Sequence, residues 1–205
     1  MNNKFQLVVL LVFSLKLSAQ QADLRNYNEN KSARGTYIGA SAGINNPAGL
    51  IGFRLNQGLT RKTMLDLGIG FGSWGTKISA AAILNADKER GIVPVLGLTY
   101  ASGIEKLSLD SMDMINNNLP NKPVERINID AKLQPTIAAN LGIQWQFYSK
   151  KGNRIFADFG YTLYLGGGNI SYKPEGYQPT DFTDAVIKFL RPGGIMVGLS
   201  YVWLR

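Results

Sequence analysis

The chain has 205 residues, enough for one domain, and its 45% hydrophobic content is ordinary for a folded protein. It has no Cys and no His, which excludes a disulfide scaffold, a thiolate metal site and a lipid-modified N-terminal Cys, and removes the commonest general base and metal ligand. The net charge of +8 is spread without a long basic run, so it indicates no nucleic acid; it fits a mixed solvated surface or one facing anionic lipid phosphates.

The first segment reads as an export signal. Lys4 supplies the positive start, residues 7–15 form an apolar run, and Leu17-Ser18-Ala19 places a small residue before Gln20. That run is too short to cross ~30 Å of hydrocarbon as a helix. The expected division is a signal peptide at 1–19, a periplasmic segment at 20–33 and a β-barrel domain at 34–205.

From there the apolar period is two, not 3.6. Weak alternation marks residues 36–44 and 48–56 as strands. Leu65, Leu67, Ile69 and Phe71 then alternate with Asp66, Gly68, Gly70 and Gly72, and two further strands fit 76–85 and 92–102. The clearest case is 136–147, where Ile137, Ala139, Leu141, Ile143, Trp145 and Phe147 share one face. Residues 155–165 and 195–204 repeat it. Eight segments of about 9–11 residues match tilted membrane-crossing strands. The 23 glycines, above the usual ~7%, lie inside these segments, where a narrow barrel interior needs small residues.

The connections differ in length. Short polar turns at 58–62, 86–91 and 149–153 alternate with two long segments, 103–132 and 166–192, which show no strand pattern. With both termini in the periplasm, the long loops are extracellular, as in outer-membrane barrels. Aromatics near strand ends (Trp145, Phe147, Tyr201, Trp203, Tyr100, Tyr164) fit interfacial girdles. Within the last loop, residues 181–190 read as a helix. Thr180 can cap it, Asp181 and Asp184 suit its start, and Lys188 and Arg191 suit its end. Phe182, Ala185, Val186, Phe189 and Leu190 make an apolar stripe. The helix is expected either to brace the barrel mouth or, through Phe182, Val186 and Phe189, to dock a partner or lie in the lipid interface.

The final strand carries Gly198, Tyr201 and Trp203 in a G-x-x-aromatic-x-aromatic spacing. This resembles the C-terminal signal read by the barrel assembly machinery, although Leu204 and Arg205 follow the last aromatic and Met196 stands where a polar residue is usual. With the leader and the strand pattern, the chain resembles small eight-stranded outer-membrane barrels of the OmpA/OmpX type, and PorT-like outer-membrane barrel domains. The resemblance implies an all-β, eight-stranded antiparallel up-and-down transmembrane barrel.

On the inward face Arg54, Asp66 and Asp158 stand out against small residues. If the turn near Thr60 is central, Arg54 and Asp66 lie opposite each other and pair, since an unpaired buried charge is costly. Lys77 also points inward, nearer the outer mouth. The known outer-membrane lipases, acyltransferases, deacylases and proteases rely on a His, and serines such as Ser73 and Ser200 lack a plausible activating base unless a Lys supplies it, so no enzyme, cofactor or metal is expected; Gly166-Gly167-Gly168 lacks the following Lys of a phosphate-cradling loop. The reading is a non-enzymatic outer-membrane barrel with a structural or interaction role. Its partners would be outer-membrane lipids, the barrel assembly machinery and, through the extracellular loops, another envelope protein. A small channel and a secreted lipocalin-like ligand-binding barrel are the alternatives. The lipocalin-like alternative turns on whether Trp145 and Leu163 face outward or into the lumen.

Overall fold

Alternation with period two gives each strand one polar and one apolar face, and eight such strands can close with all polar faces on one side. The computed structural model describes residues 35–60, 62–86, 91–148 and 153–204; the expected leader and the segment at 20–33 lie outside them. In chain order the elements are β1 (Thr36–Ile44), β2 (Ile51–Gly58), β3 (Thr63–Gly72), β4 (Gly75–Leu84), β5 (Gly91–Ala101), β6 (Ile104–Asn116), β7 (Val124–Leu133), β8 (Thr136–Tyr148), β9 (Arg154–Gly167), β10 (Ile170–Lys173), β11 (Tyr177–Pro179), α1 (Asp181–Leu190) and β12 (Gly194–Leu204). Eight strands close a barrel in the order β1-β12-β9-β8-β5-β4-β3-β2, every pair antiparallel. Closure comes from β1 against β12, with Tyr37 opposite Leu204 and Ile44 opposite Val197.

The long connections are not strandless. They form a second sheet, ordered β10-β7-β6-β11, beyond one end of the barrel. This sheet is a continuation of the barrel wall. Ala101 faces Thr136 at the rim and Ile104 faces Leu133 just past it, so the β5–β8 ladder runs on into β6–β7 in register. The β8–β9 ladder does the same, from Thr136 opposite Gly167 to Leu133 opposite Ile170. At about 3.3 Å per residue, β7 alone reaches roughly 30 Å from the rim.

The wall bends where it leaves the barrel. Gly103 sits at φ +76° with its α-carbon pressed against the Leu133 carbonyl; a β-carbon there would lie 2.1 Å from that oxygen. Only glycine suits both demands. Trp74, at the β3–β4 turn, fills the angle of the bend. It is fully buried, donates from Nε1 to the Gln134 carbonyl (2.8 Å) and packs with Ala101, Ala131 and Leu133. Leu107, Leu109, Ile170, Tyr172 and Leu190 complete this small apolar core.

The larger departures from expectation are at the start of the second strand and in the β2–β3 register. The second strand starts at Ile51 rather than 48, because residues 46–49 turn back into the barrel. The β2–β3 register is also displaced: Arg54 faces Gly68 and Asn56 faces Asp66, so Arg54 and Asp66 are diagonal neighbours, not opposite ones. The turn centres one residue later than Thr60. That moves pairing by two and leaves each side chain on its expected face.

Candidate functional site

The barrel is polar inside and apolar outside. Along β12, Ile195, Val197, Leu199, Tyr201 and Trp203 are exposed, while Met196, Ser200 and Val202 are buried. Trp145 is 47% exposed and Leu163 41%, so both face outward. Buried on the lumen side are Ser41, Arg54, Asn56, Asp66, Lys77, Ser79, Thr99, Asn140, Gln144, Gln146, Arg154, Asp158, Thr162 and Ser200. Trp145 stacks near Phe147 with ring centres 4.6 Å apart, and Tyr201 near Trp203 at 6.3 Å, at the end where the short turns lie.

The lumen is filled in three levels. Toward the short turns, Tyr37, Met64, Ile83, Val93, Phe156 and Val202 form an apolar layer. Arg154 crosses it fully buried, donating to the Tyr37 hydroxyl and lying 3.9 Å from the centre of that ring. The lumen charges expected from sequence omit Arg154, although it shares the inward phase of Phe156 and Asp158.

The middle level brings together Arg54, Asp66 and Asp158. The Arg54 guanidinium donates from Nε to Asp66 Oδ1 (3.1 Å), from Nη2 to Asp66 Oδ2, and from Nη1 to Asp158 Oδ2 and Ser200 Oγ (2.8 Å). Asn56 and Gln144 donate to the two carboxylates at 2.9 and 2.7 Å, Gln146 donates to Gln144, and Ser200 to Ser41. One buried cation thus serves two buried anions, and neutral donors fill remaining lone pairs, as low dielectric requires.

The upper level is occupied by the chain itself. The turn after β1 folds inward, with Asn46 and Ala48 wholly buried. The glycines around it are the clearance it needs. A β-carbon on Gly70 would meet the Ala48 carbonyl oxygen at 2.1 Å, one on Gly52 the same atom at 2.2 Å, and one on Gly198 the Asn46 amide at 1.9 Å. Gly198, which also belongs to the proposed assembly signal, therefore has a second, local reason to be glycine. On the other side Met196 fills the space left by Gly142 and Gly160, and Thr162, Asn140 and Thr99 form a hydrogen-bonded chain.

Outside the barrel, α1 is capped by Thr180 and runs along β6. The Thr183 hydroxyl donates to the Asp113 carbonyl (3.0 Å), and Ser73 at the rim donates to the Leu190 carbonyl (2.7 Å). The helix buries Thr183 and Ile187 and, of the stripe expected from sequence, packs Leu190 against the small core, while Phe182 is 75% exposed and Val186 41%. Ion pairs on the outer sheet are solvated: Arg126 with Asp113, and Lys106 with Asp130.

No family model matches the chain. No curated protein matches it. Among solved structures it is similar to the crystal structure of Acinetobacter baumannii CarO, at 13% identity and a TM-score of 0.45, covering 86% of this chain and 100% of that one. At that identity and score the likeness carries no functional weight. Among the described residues no helix is long and apolar enough to cross a membrane, which says nothing of crossing by strands.

Proposed function

We propose that the chain is a non-enzymatic, integral outer-membrane barrel that keeps its lumen closed and presents its outer sheet and α1 to another envelope protein. The observation that carries the membrane reading is the inverted burial: an apolar belt outside, a hydrogen-bonded polar lumen inside. In water such a wall would expose far more contiguous apolar surface than a soluble monomer tolerates. In hydrocarbon it is the favourable arrangement, and barrel closure leaves no backbone edge unpaired. A lipocalin-like binder needs the opposite, apolar side chains inward. Trp145 and Leu163 argue against that reading.

A conducting pore is disfavoured by the Arg54 network, the apolar layer around Tyr37 and Phe156, and the inward turn at Asn46, three obstructions in series. Interaction is left to the outer sheet. The outward face of α1, Phe182 with Ala185 and Val186, is apolar and exposed.

The test has two arms. The protein should fractionate with outer membranes, resist carbonate extraction and migrate differently on gels before and after boiling; recovery from the soluble periplasm would sink the membrane reading. Polar replacement of Phe182, Val186 and Phe189 should leave insertion intact and remove a partner that co-purifies in mild detergent. If every co-purifying protein survives that change, the helix face is not the docking surface.

A further inference from the structure

At the mouth of the barrel two cations form no ion pair among the described residues. Lys77, on the lumen face of β4, is 3% exposed and forms no hydrogen bond or ion pair among the described residues. Its stem climbs along Gly72, where a β-carbon would lie 2.6 Å from Cε, so the ammonium points up toward the β3–β4 turn. Arg191, just after α1, arrives at the same level. Ser73, next to Gly72, bonds the Leu190 carbonyl, and the guanidinium carbon of Arg191 lies 5.9 Å from the Trp74 ring. On its other side Arg191 stands 4.9 Å from the Tyr164 ring and donates from Nη2 to the Gly168 carbonyl (3.1 Å). It therefore spans the mouth from the β3–β4 turn to the end of β9. Its Nε is buried and has no acceptor.

The carboxylates of the lumen, and one on α1, are committed elsewhere. Asp66 and Asp158 both serve Arg54 deeper in the lumen, and Asp184, on α1, pairs with Lys188. A largely desolvated ammonium and an orphaned guanidinium N–H at the same end of the barrel are costly when nothing negative binds there. Two positive charges suit a dianion, and a guanidinium beside an ammonium suits tetrahedral oxygens.

We propose that Lys77 and Arg191 form a site for a phosphate monoester group at the barrel mouth. The group is supplied either by a free phosphate or by the headgroup of a lipid. The site depends only on the geometry of the mouth and stands whether or not the outer sheet docks a protein.

The experiment uses the full mature chain, folded in a phosphate-free detergent, with its boiled and unboiled gel positions checked for every variant. Inorganic phosphate is titrated calorimetrically against a chloride control at equal ionic strength. Phosphate should bind and chloride should not. K77M and R191M should each lose at least about tenfold in affinity, as expected for losing one hydrogen bond to a charged group, and K77R should keep most of it. In the second arm the protein sits in phosphatidylcholine nanodiscs with or without phosphatidic acid. Retention of phosphatidic acid on extraction, lost in K77M, identifies the lipid headgroup as the source; binding in the first arm alone identifies free phosphate. If the wild-type chain neither prefers phosphate over chloride in the first arm nor retains phosphatidic acid in the second, or if the methionine variants bind as well as wild type, the site does not exist. The wild-type comparison decides even if a variant fails to fold.

Discussion

Arg54 is the single residue on which most of the lumen depends. It holds Asp66 through two donors and Asp158 through a third, all three groups lying within a few per cent of complete burial. Arg54→Ala should cost ~3–5 kcal/mol, because it leaves two buried carboxylates without their cation. Removing Asp66 in the same chain should recover part of that loss, and removing both Asp66 and Asp158 should recover more. Urea unfolding of these three variants, with the single Asp66→Ala and Asp158→Ala chains beside them, checks this in detergent, and strictly additive losses would show that the groups are not coupled. Gly70→Ala forms a second prediction. Its new β-carbon meets a carbonyl oxygen of the inward turn, which has no room to retreat, so about 1–3 kcal/mol or more should be lost. Gly193→Ala, with nothing nearer than 3.7 Å, is the control and should fold normally. The charges at the middle level are legible in sequence because Arg54, Asp66 and Asp158 interrupt faces otherwise made of small residues. The inward turn is not legible. Nothing in Asn45-Asn46-Pro47-Ala48-Gly49 says that a polar loop will be buried; the sign of it is distributed over glycines on β2, β3 and β12 that touch only after closure.

At the scale of elements, the strand pattern that builds the barrel also marks β7, where Ile127, Ile129, Ala131 and Leu133 alternate with Asn128, Asp130 and Lys132. That alternation is legible inside residues 103–132, the stretch expected to be a loop. Its partner β6 hides the same pattern, because two register shifts interrupt it and Ser111 sits at φ +55°. Each bulge moves the alternation by one residue, so no fixed period survives along the strand. The hairpin also carries two acid-sensitive ion pairs. The Arg126 guanidinium holds the Asp113 carboxyl below its ordinary 3.8, and Ser108 with Lys106 holds Asp130 below the same value. A carboxylate whose folded-state value is depressed stabilises the fold fully above its unfolded value. That contribution fades as pH falls through the folded one. The outer sheet should therefore be unchanged from neutrality down to about pH 4 and loosen progressively below it. The Trp74 indole N–H, bonded to Gln134 beneath the sheet, is the probe. Its resonance should hold to that point and then broaden, while amides of β8 and β12 stay protected. Loss of both together would show that the sheet and the barrel open as one unit.

The whole molecule is one continuous wall. Closing it requires a single seam, β1 against β12. Residues 201–204 of β12 face Tyr37 to Ala40 on one side, and Tyr201 and Val202 face Ile155 and Arg154 on the other. This stretch also places Val202 in the apolar layer of the lumen and Tyr201 beside Trp203 on the outer belt, where the Asn153 amide donates to the Tyr201 hydroxyl at 2.7 Å. Deleting residues 201–205 would open half the seam. It would bare the backbone donors and acceptors of β1 and β9 to hydrocarbon, where each costs several kcal/mol. It would also remove both aromatics of the proposed assembly signal, so local energetics and recognition by the assembly machinery point the same way. Removing only Leu204 and Arg205 deletes one ladder pair and neither aromatic. The shorter truncation should therefore insert and show the heat-dependent gel shift with at most a small loss of yield; the longer one should not. To separate the two causes, Tyr201→Ala with Trp203→Ala keeps the full backbone seam and erases the aromatics. Refolding of that variant into pure lipid vesicles should succeed even where assembly in cells fails. If it fails in vesicles as well, the aromatics hold the barrel closed rather than identify it to the assembly machinery.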